Sequence, residues 1–417
     1  MRPLGCILFA ATIVLAAPQP LVIAPINTLV DWYAPRAPWE KRPFNPEGVK
    51  DLIARHKNAG AKRLAWRVTD GGTATYWSKL REPFHGLLPD NCHRYFFMTP
   101  NIERFDELDF RRFDSFAEAV RLAHQSGLQI YAWMQVAGED DGWGYASKRV
   151  REQPRWNTVG RDGLRFNAKL AWSMPENHEY LLGLIREVLA YHPDGLILDF
   201  LKNQGDYRNQ MTDDDGIAWY GYEEPAASLY QQRTGKDPRM QPNSDPDWVR
   251  FRASFVTEFA RKASALVRRE APKTRLLAQV WGGGGTVQWV RDSAAQPGEK
   301  QYKGIPHPVR NALGGTLVDI ASWSREGLFD AIYPLISASN PAELRERMRE
   351  AQQLVSKGRS RLAAGIYVWT QPEKTAEYTD IAREFGVEEI YVGESLAYRL
   401  DRWDALKSAM DRQKPGR

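Results

Sequence analysis

Short apolar runs alternate along this chain with longer stretches whose apolar positions recur at helical spacing. Residues 21–24 form a weak first strand. Asn45-Pro46-Glu47 starts a helix to about Ala59, with Asn45 as N-cap and Pro46 at the first helical position. Gly60 ends that helix, and residues 62–68 form the second strand. A helix over residues 113–125, capped by Asp114 or Ser115 and closed by Gly127, leads to strand three at 128–136. Met174-Pro175-Glu176 opens a helix to about Tyr191, Pro193 stops it, and residues 196–200 are strand four. Residues 244–247 lead into a long helix ending near Glu270, followed by strand five at 275–281. A short helix at 317–323 precedes strand six at 331–335, and a helix at 340–356 precedes strand seven at 362–369. A helix at 372–385, ended by Gly386, precedes strand eight at 389–392.

Strands that alternate with crossovers in this way predict an α/β fold, a (β/α)8 TIM barrel. Loop lengths support the same fold. The turns leading into strands are short, whereas the segments leaving strands are long, at about residues 70–112, 137–174, 201–243 and 282–316. All the long segments fall on the C-terminal face of the barrel, where active sites of this fold are built. No internal repeat or low-complexity linker interrupts the pattern, so residues 18–410 read as one barrel, with a basic tail at 411–417.

Strand four carries the most informative residues. Asp194-Gly195 opens it as a turn pair, Leu196-Ile197-Leu198 is a run for a strand buried on both faces, and Asp199 ends it. A charge there costs several kcal/mol to desolvate unless it is paired or reaches water at the strand tip. The other strands also end in polar or aromatic residues. Trp66 and Arg67 lie on strand two, Trp133 and Gln135 on strand three, and Lys202 just past strand four. Gln279 and Trp281 lie on strand five, Tyr333 on strand six and Trp369 on strand seven. Such a cleft suits a sugar, because rings cover its apolar C–H faces and planar polar groups bond its hydroxyls. The alternative for each Trp is barrel packing. For Asp199 it is a structural acid bonded to Lys202, Arg67 or loop amides. Glycoside cleavage uses two carboxylates. Glu139-Asp140, Glu373 and Glu394 compete to act with Asp199, Asp213-Asp214-Asp215 and Glu223-Glu224 are placed to fold over the cleft, and each of these acids also reads as a solvated loop acid.

Met1-Arg2-Pro3, the apolar run from Leu4 to Ala17 and Pro18-Gln19-Pro20 together describe a signal peptide over residues 1–17. The run is short for a membrane span. An exported protein without stable membrane insertion is therefore expected, and an uncleaved anchor is the alternative. Cleavage would leave Cys92 as the single cysteine, and a barrel of this size needs no disulfide. The net charge of +5 is spread along the chain with no dense Lys/Arg block, so a nucleic-acid partner is not expected. No His-x-His, His-Glu-x-x-His, Cys cluster, phosphate loop or Gly-x-Ser-x-Gly elbow occurs, so neither a metal nor another cofactor is expected.

Three passages carry a resemblance to a known family. They are residues 116–135, ending Tyr-Ala-Trp-Met-Gln, residues 174–200, and residues 252–281. The chain resembles the glycoside-hydrolase-like, family-10-glycosylhydrolase-like barrels of bacteria. That resemblance implies a catalytic role for Asp199. It departs from the family where Tyr-x-Arg-Tyr-Pro often follows the acid, because here the chain reads Phe200-Leu201-Lys202-Asn203-Gln204. Lys202 would take the place of the Arg, as a point charge rather than a planar fork. The expected activity is hydrolysis of a polysaccharide or glycoconjugate. The alternatives are a carbohydrate-binding barrel without catalysis, and a TIM-barrel lyase or isomerase.

Overall fold

The computed structural model describes residues 21–26, 43–85, 108–139, 147–163, 165–199, 201–203, 220–281, 317–338, 340–355, 357–367, 372–392 and 403–411. Eight parallel strands close into a barrel. They are β1 (Leu21–Ile26), β2 (Arg63–Asp70), β3 (Gln129–Gln135), β4 (Gly195–Asp199), β5 (Arg275–Trp281), β6 (Ala331–Ser337), β7 (Ala364–Tyr367) and β8 (Glu389–Val392). Each pairs with its sequence neighbour, and β1 pairs with both β2, through Ile23↔Arg63, and β8, through Leu21↔Glu389. The weak first strand is thus the stave that closes the ring. The structure corrects the expected seventh strand, which is split: Arg361–Leu362 pairs first with β6, and β7 follows after Ala363.

Helices pack around the ring: α1 (Pro46–Asn58), α2 (Ser115–Gln125), then, after a short helix at Lys148–Glu152, Pro175–Leu189, and onward to the long helix Pro246–Glu270. Their starts follow from local chemistry. Asn45 accepts hydrogen bonds from the amides of Glu47 and Gly48, and Asp245 from those of Asp247 and Trp248, with a proline next in each case. Among the described residues, no helix is long and apolar enough to cross a membrane.

Strand alternation divides the core into two layers. Outward residues such as Leu64, Trp66, Ile130, Leu196 and Leu198 pack under the helices. Inward residues Ile23, Ala65, Tyr131, Trp133, Ile197, Leu277, Tyr333 and Tyr391 fill the barrel. The Asp194-Gly195 pair has a distinct job in each half. The Asp194 carboxylate accepts the Ile130 amide at 2.8 Å, fixing β4 beside β3. A Cβ on Gly195 would meet the Tyr131 ring at 2.6 Å, so only glycine leaves room for that ring.

The loops after β3 and β4 are structured in part. Asn157–Val159 and Arg165–Leu170 form a hairpin, and helix Glu224–Thr234 follows Glu223. Sequence periodicity missed these elements, because the strands are short and the helix has little amphipathic pattern. The expected signal peptide at 1–17 lies outside the described residues, as do most of the tail at 411–417 and the segment around Cys92.

Candidate active site

Asp199 is the last residue of β4, two positions beyond the inward-facing Ile197, so strand alternation turns its side chain into the mouth of the barrel. It is 1% exposed. Its Oδ2 accepts the indole N–H of Trp133 at 3.1 Å and the Gln279 amide N–H at 3.4 Å. Both neighbours come from the flanking strands β3 and β5. Indole nitrogen can only donate, so the carboxylate is presented as an acceptor.

Behind Trp133 lies a cation. The Arg67 guanidinium sits 4.5 Å from the centre of the Trp133 ring and pairs with Asp70 at 3.0 Å. Contacts therefore run unbroken from Asp70 through Arg67 and Trp133 to Asp199. Asp70 ends β2, two strands from Asp199, which sets their backbones roughly 10 Å apart. Gln135 braces the same rim, its Oε1 accepting the Gly71 amide at 2.8 Å. Two buried amide atoms here have no hydrogen-bond partner among the described residues, Nε2 of Gln135 and Oε1 of Gln279. Buried polar groups are nearly always satisfied, and such exceptions mark places where a ligand or solvent completes the pairing. One is a donor and the other an acceptor, the pair of functions that a sugar hydroxyl can meet.

Three expected site residues are placed elsewhere. Trp66 and Arg67 are adjacent on one strand and must face opposite sides. Arg67 takes the inside, and Trp66 is fully buried in the outer layer under the helices. Tyr333 faces the barrel interior, but its hydroxyl donates to Glu389 at 3.0 Å, at the opposite end of the barrel from the β4 tip. Glu139 is fully buried in an ion pair with Arg81 at 2.5 Å and accepts the Ser147 hydroxyl at 2.5 Å. Burial works against the charge on Arg81, but Glu139 and Tyr180 raise its pKa above the ordinary arginine value. Glu139 thus anchors two loops to each other, and Gly72 leaves room for them: a Cβ there would meet the Glu139 carbonyl at 2.3 Å. Lys202 is buried just past the β4 tip, and its carbonyl accepts the Trp172 indole at 2.9 Å. The side chain of Trp281, together with Trp369 and Glu394, lies outside the described residues.

The structure adds residues that sequence reasoning passed over. Asp70 was legible as the acid at the tip of strand two. Glu223 reads in sequence as a solvated loop acid, and the structure corrects that. It is buried and accepts Ser173 Oγ at 2.8 Å, the Val159 amide at 3.2 Å and Thr158 Oγ1 at 3.3 Å. Burial pushes its carboxyl up from the ordinary value, against the lowering effect of those donors. Its partners come from the hairpin and from Ser173, distant in sequence, so nothing local in the sequence signals the burial. Among the described residues no group of His, Cys, Asp and Glu is arranged to hold a metal ion.

A model of the glycosyl hydrolase-like 10 family matches residues 101–385, from ahead of α2 to just past the helix before β8. The chain belongs to the glycosyl hydrolase-like 10 family. Its barrel is similar to the catalytic domain of a β-amylase from Paenibacillus polymyxa, with a TM-score of 0.55 and 10% identity over 96% of this chain and 100% of that one. It is also similar to an endo-1,4-β-mannanase from Rhizomucor miehei, with a TM-score of 0.52 and 9% identity over 95% of this chain and 98% of that one. A β-galactosidase from Halorubrum lacusprofundi gives a TM-score of 0.55 at 11% identity, and there the match covers 95% of this chain and 58% of that one. At such identities the likeness shows the fold alone. No curated protein matches the chain.

Proposed function

We propose that this member of the glycosyl hydrolase-like 10 family is an exported glycoside hydrolase acting on a polysaccharide or glycoconjugate, with Asp199 as a catalytic carboxylate. The observation that carries this reading is the setting of Asp199. It is a buried acid at a strand tip on the face where barrels of this fold do their chemistry, held by Trp133 and Gln279. The unpaired amide atoms of Gln135 and Gln279 on either side of it supply a donor and an acceptor for substrate hydroxyls. Both donors to Asp199 meet it as an acceptor, which suits attack at the anomeric carbon or activation of water. Glu394, which follows β8 by two residues in the sequence, is the proposed partner that protonates the leaving oxygen. Glu139 is committed to Arg81 and is not proposed for that role. Arg67, Lys202 and the indole rings of Trp281 and Trp369 are proposed to contact the sugar. Export rests on the leader-like pattern of residues 1–17.

The test is turnover of a glycan panel by wild type, Asp199→Asn and Glu394→Gln. Loss of an acid of this kind costs about 10²- to 10⁴-fold in kcat. Equal turnover by wild type and Asp199→Asn would remove Asp199 from the mechanism. Binding without turnover by wild type would favour a carbohydrate-binding barrel.

A further inference from the structure

Beside the β4 tip lies a small cavity lined by Thr158, Lys169, Lys202 and Asn203, with Ala137, Leu170 and Trp172 completing its wall. Its volume of about 10 Å³ admits one oxygen-sized group, not a sugar ring. Four of its seven lining side chains are polar, each can donate, and no acid lines it among the described residues. Lys169 and Lys202 are only 6% and 5% exposed. The two arrive from different elements. Lys169 lies on the hairpin strand Arg165–Leu170, which bridges to Gly138 after β3. Lys202 follows Asp199 by three residues.

Desolvating one ammonium costs several kcal/mol, and placing a second against the same small space adds repulsion. A cavity so lined favours an anion over a neutral hydroxyl. Thr158 and Asn203 add neutral donors, so an oxyanion entering here meets two charges and two dipoles. Both lysines also interact within the chain. Glu223 accepts from the lining Thr158, and its other bonds come from Ser173 and the Val159 amide.

We infer that this cavity is an anion subsite, which takes an oxygen of an acidic substituent on the glycan held in the adjoining cleft, a carboxylate or a sulfate ester. The inference rests on the carbohydrate reading of that cleft and adds to it a substrate class, acidic rather than neutral. Its position just past Asp199 places the recognised substituent next to the proposed reacting centre.

The experiment measures binding, so it does not depend on hydrolysis. Titration calorimetry and thermal melting of the full chain compare glucuronate, glucose 6-sulfate and glucose at matched ionic strength. Wild type is expected to bind at least one of the two acidic probes ten or more times tighter than glucose, and the stronger one names the substituent. Lys169→Met and Lys202→Met are each expected to reduce that preference several-fold, with glucose binding unchanged in Lys169→Met. Equal binding of all three probes by wild type, or no binding of either acidic probe, would overturn the subsite. So would a preference that survives in both variants. The wild-type comparison stands even if a variant fails to fold. A preference for acidic probes in a chain that hydrolyses no glycan would leave the subsite in place and count against the hydrolase reading.

Discussion

At the residue scale, the site depends on which of two adjacent side chains faces the barrel. Trp66 and Arg67 are both legible as strand-tip residues, and sequence gives no reason to prefer one. Alternation admits one of them to the interior, and the structure shows it to be Arg67, over Trp133 and paired with Asp70. Trp133 therefore has two functions: its ring carries the guanidinium and its N–H holds Asp199. Trp133→Phe separates them, because phenylalanine keeps a ring and loses the donor. A hydrogen bond to a charged group contributes about 1.5–3 kcal/mol. If Asp199 is catalytic, kcat on the identified glycan is expected to fall roughly ten- to hundredfold, with a smaller change in KM. An unchanged kcat would show that the Trp133 bond does not matter to the reaction.

At the scale of elements, the loops on the C-terminal face are joined by buried acids. Glu139 and Arg81 connect the segments after β3 and β2. Glu223 connects the hairpin after β3 to the helix after β4, through Thr158, Val159 and Ser173. These acids look like ordinary loop carboxylates in sequence, since burial arises only when distant segments fold over them. For Glu223 burial has a pH consequence. Its folded pKa is raised above the ordinary 4.5. The folded state therefore holds its proton more tightly than the unfolded chain does. The resulting stability is fully present below about pH 4.5 and is lost as pH rises through the folded value. Each pH unit over which the two states differ in protonation costs about 1.4 kcal/mol. Glu223→Gln does not titrate. Its stability relative to wild type, read from urea unfolding, is expected to improve between pH 4 and pH 7. A difference that stays constant, or moves the other way, would show that Glu223 is not held in this manner.

For the whole molecule, the barrel has two chemically distinct ends. The N-terminal end is plugged by Glu389, which pairs with Arg63 and Arg275 and accepts the Tyr333 hydroxyl. The C-terminal end carries Asp199, Arg67, Asp70, Gln135 and Gln279. The charge balance at the plug is a matter of stability, since removing one partner of a buried pair leaves an uncompensated charge and costs about 3–5 kcal/mol. Glu389→Gln leaves two guanidinium groups facing a neutral amide and is expected to lower the unfolding midpoint accordingly. Affinity for glycans by the protein that remains folded is expected to be unaffected. A midpoint within experimental error of wild type would show that solvent or the remaining polar groups compensate. Sequence by itself determined the parallel barrel and its eight strands. It also determined the place of Asp199, because strand length, helix caps and the period-two pattern are local properties of the chain. Tertiary structure alone decided which tip residues face inward, that Tyr333 belongs to the plug, and that Glu139 is paired with Arg81. It also decided that Glu223 is buried and that Lys169 and Lys202 share one cavity. Those facts depend on which distant segments meet, and no local pattern of residues encodes the meeting.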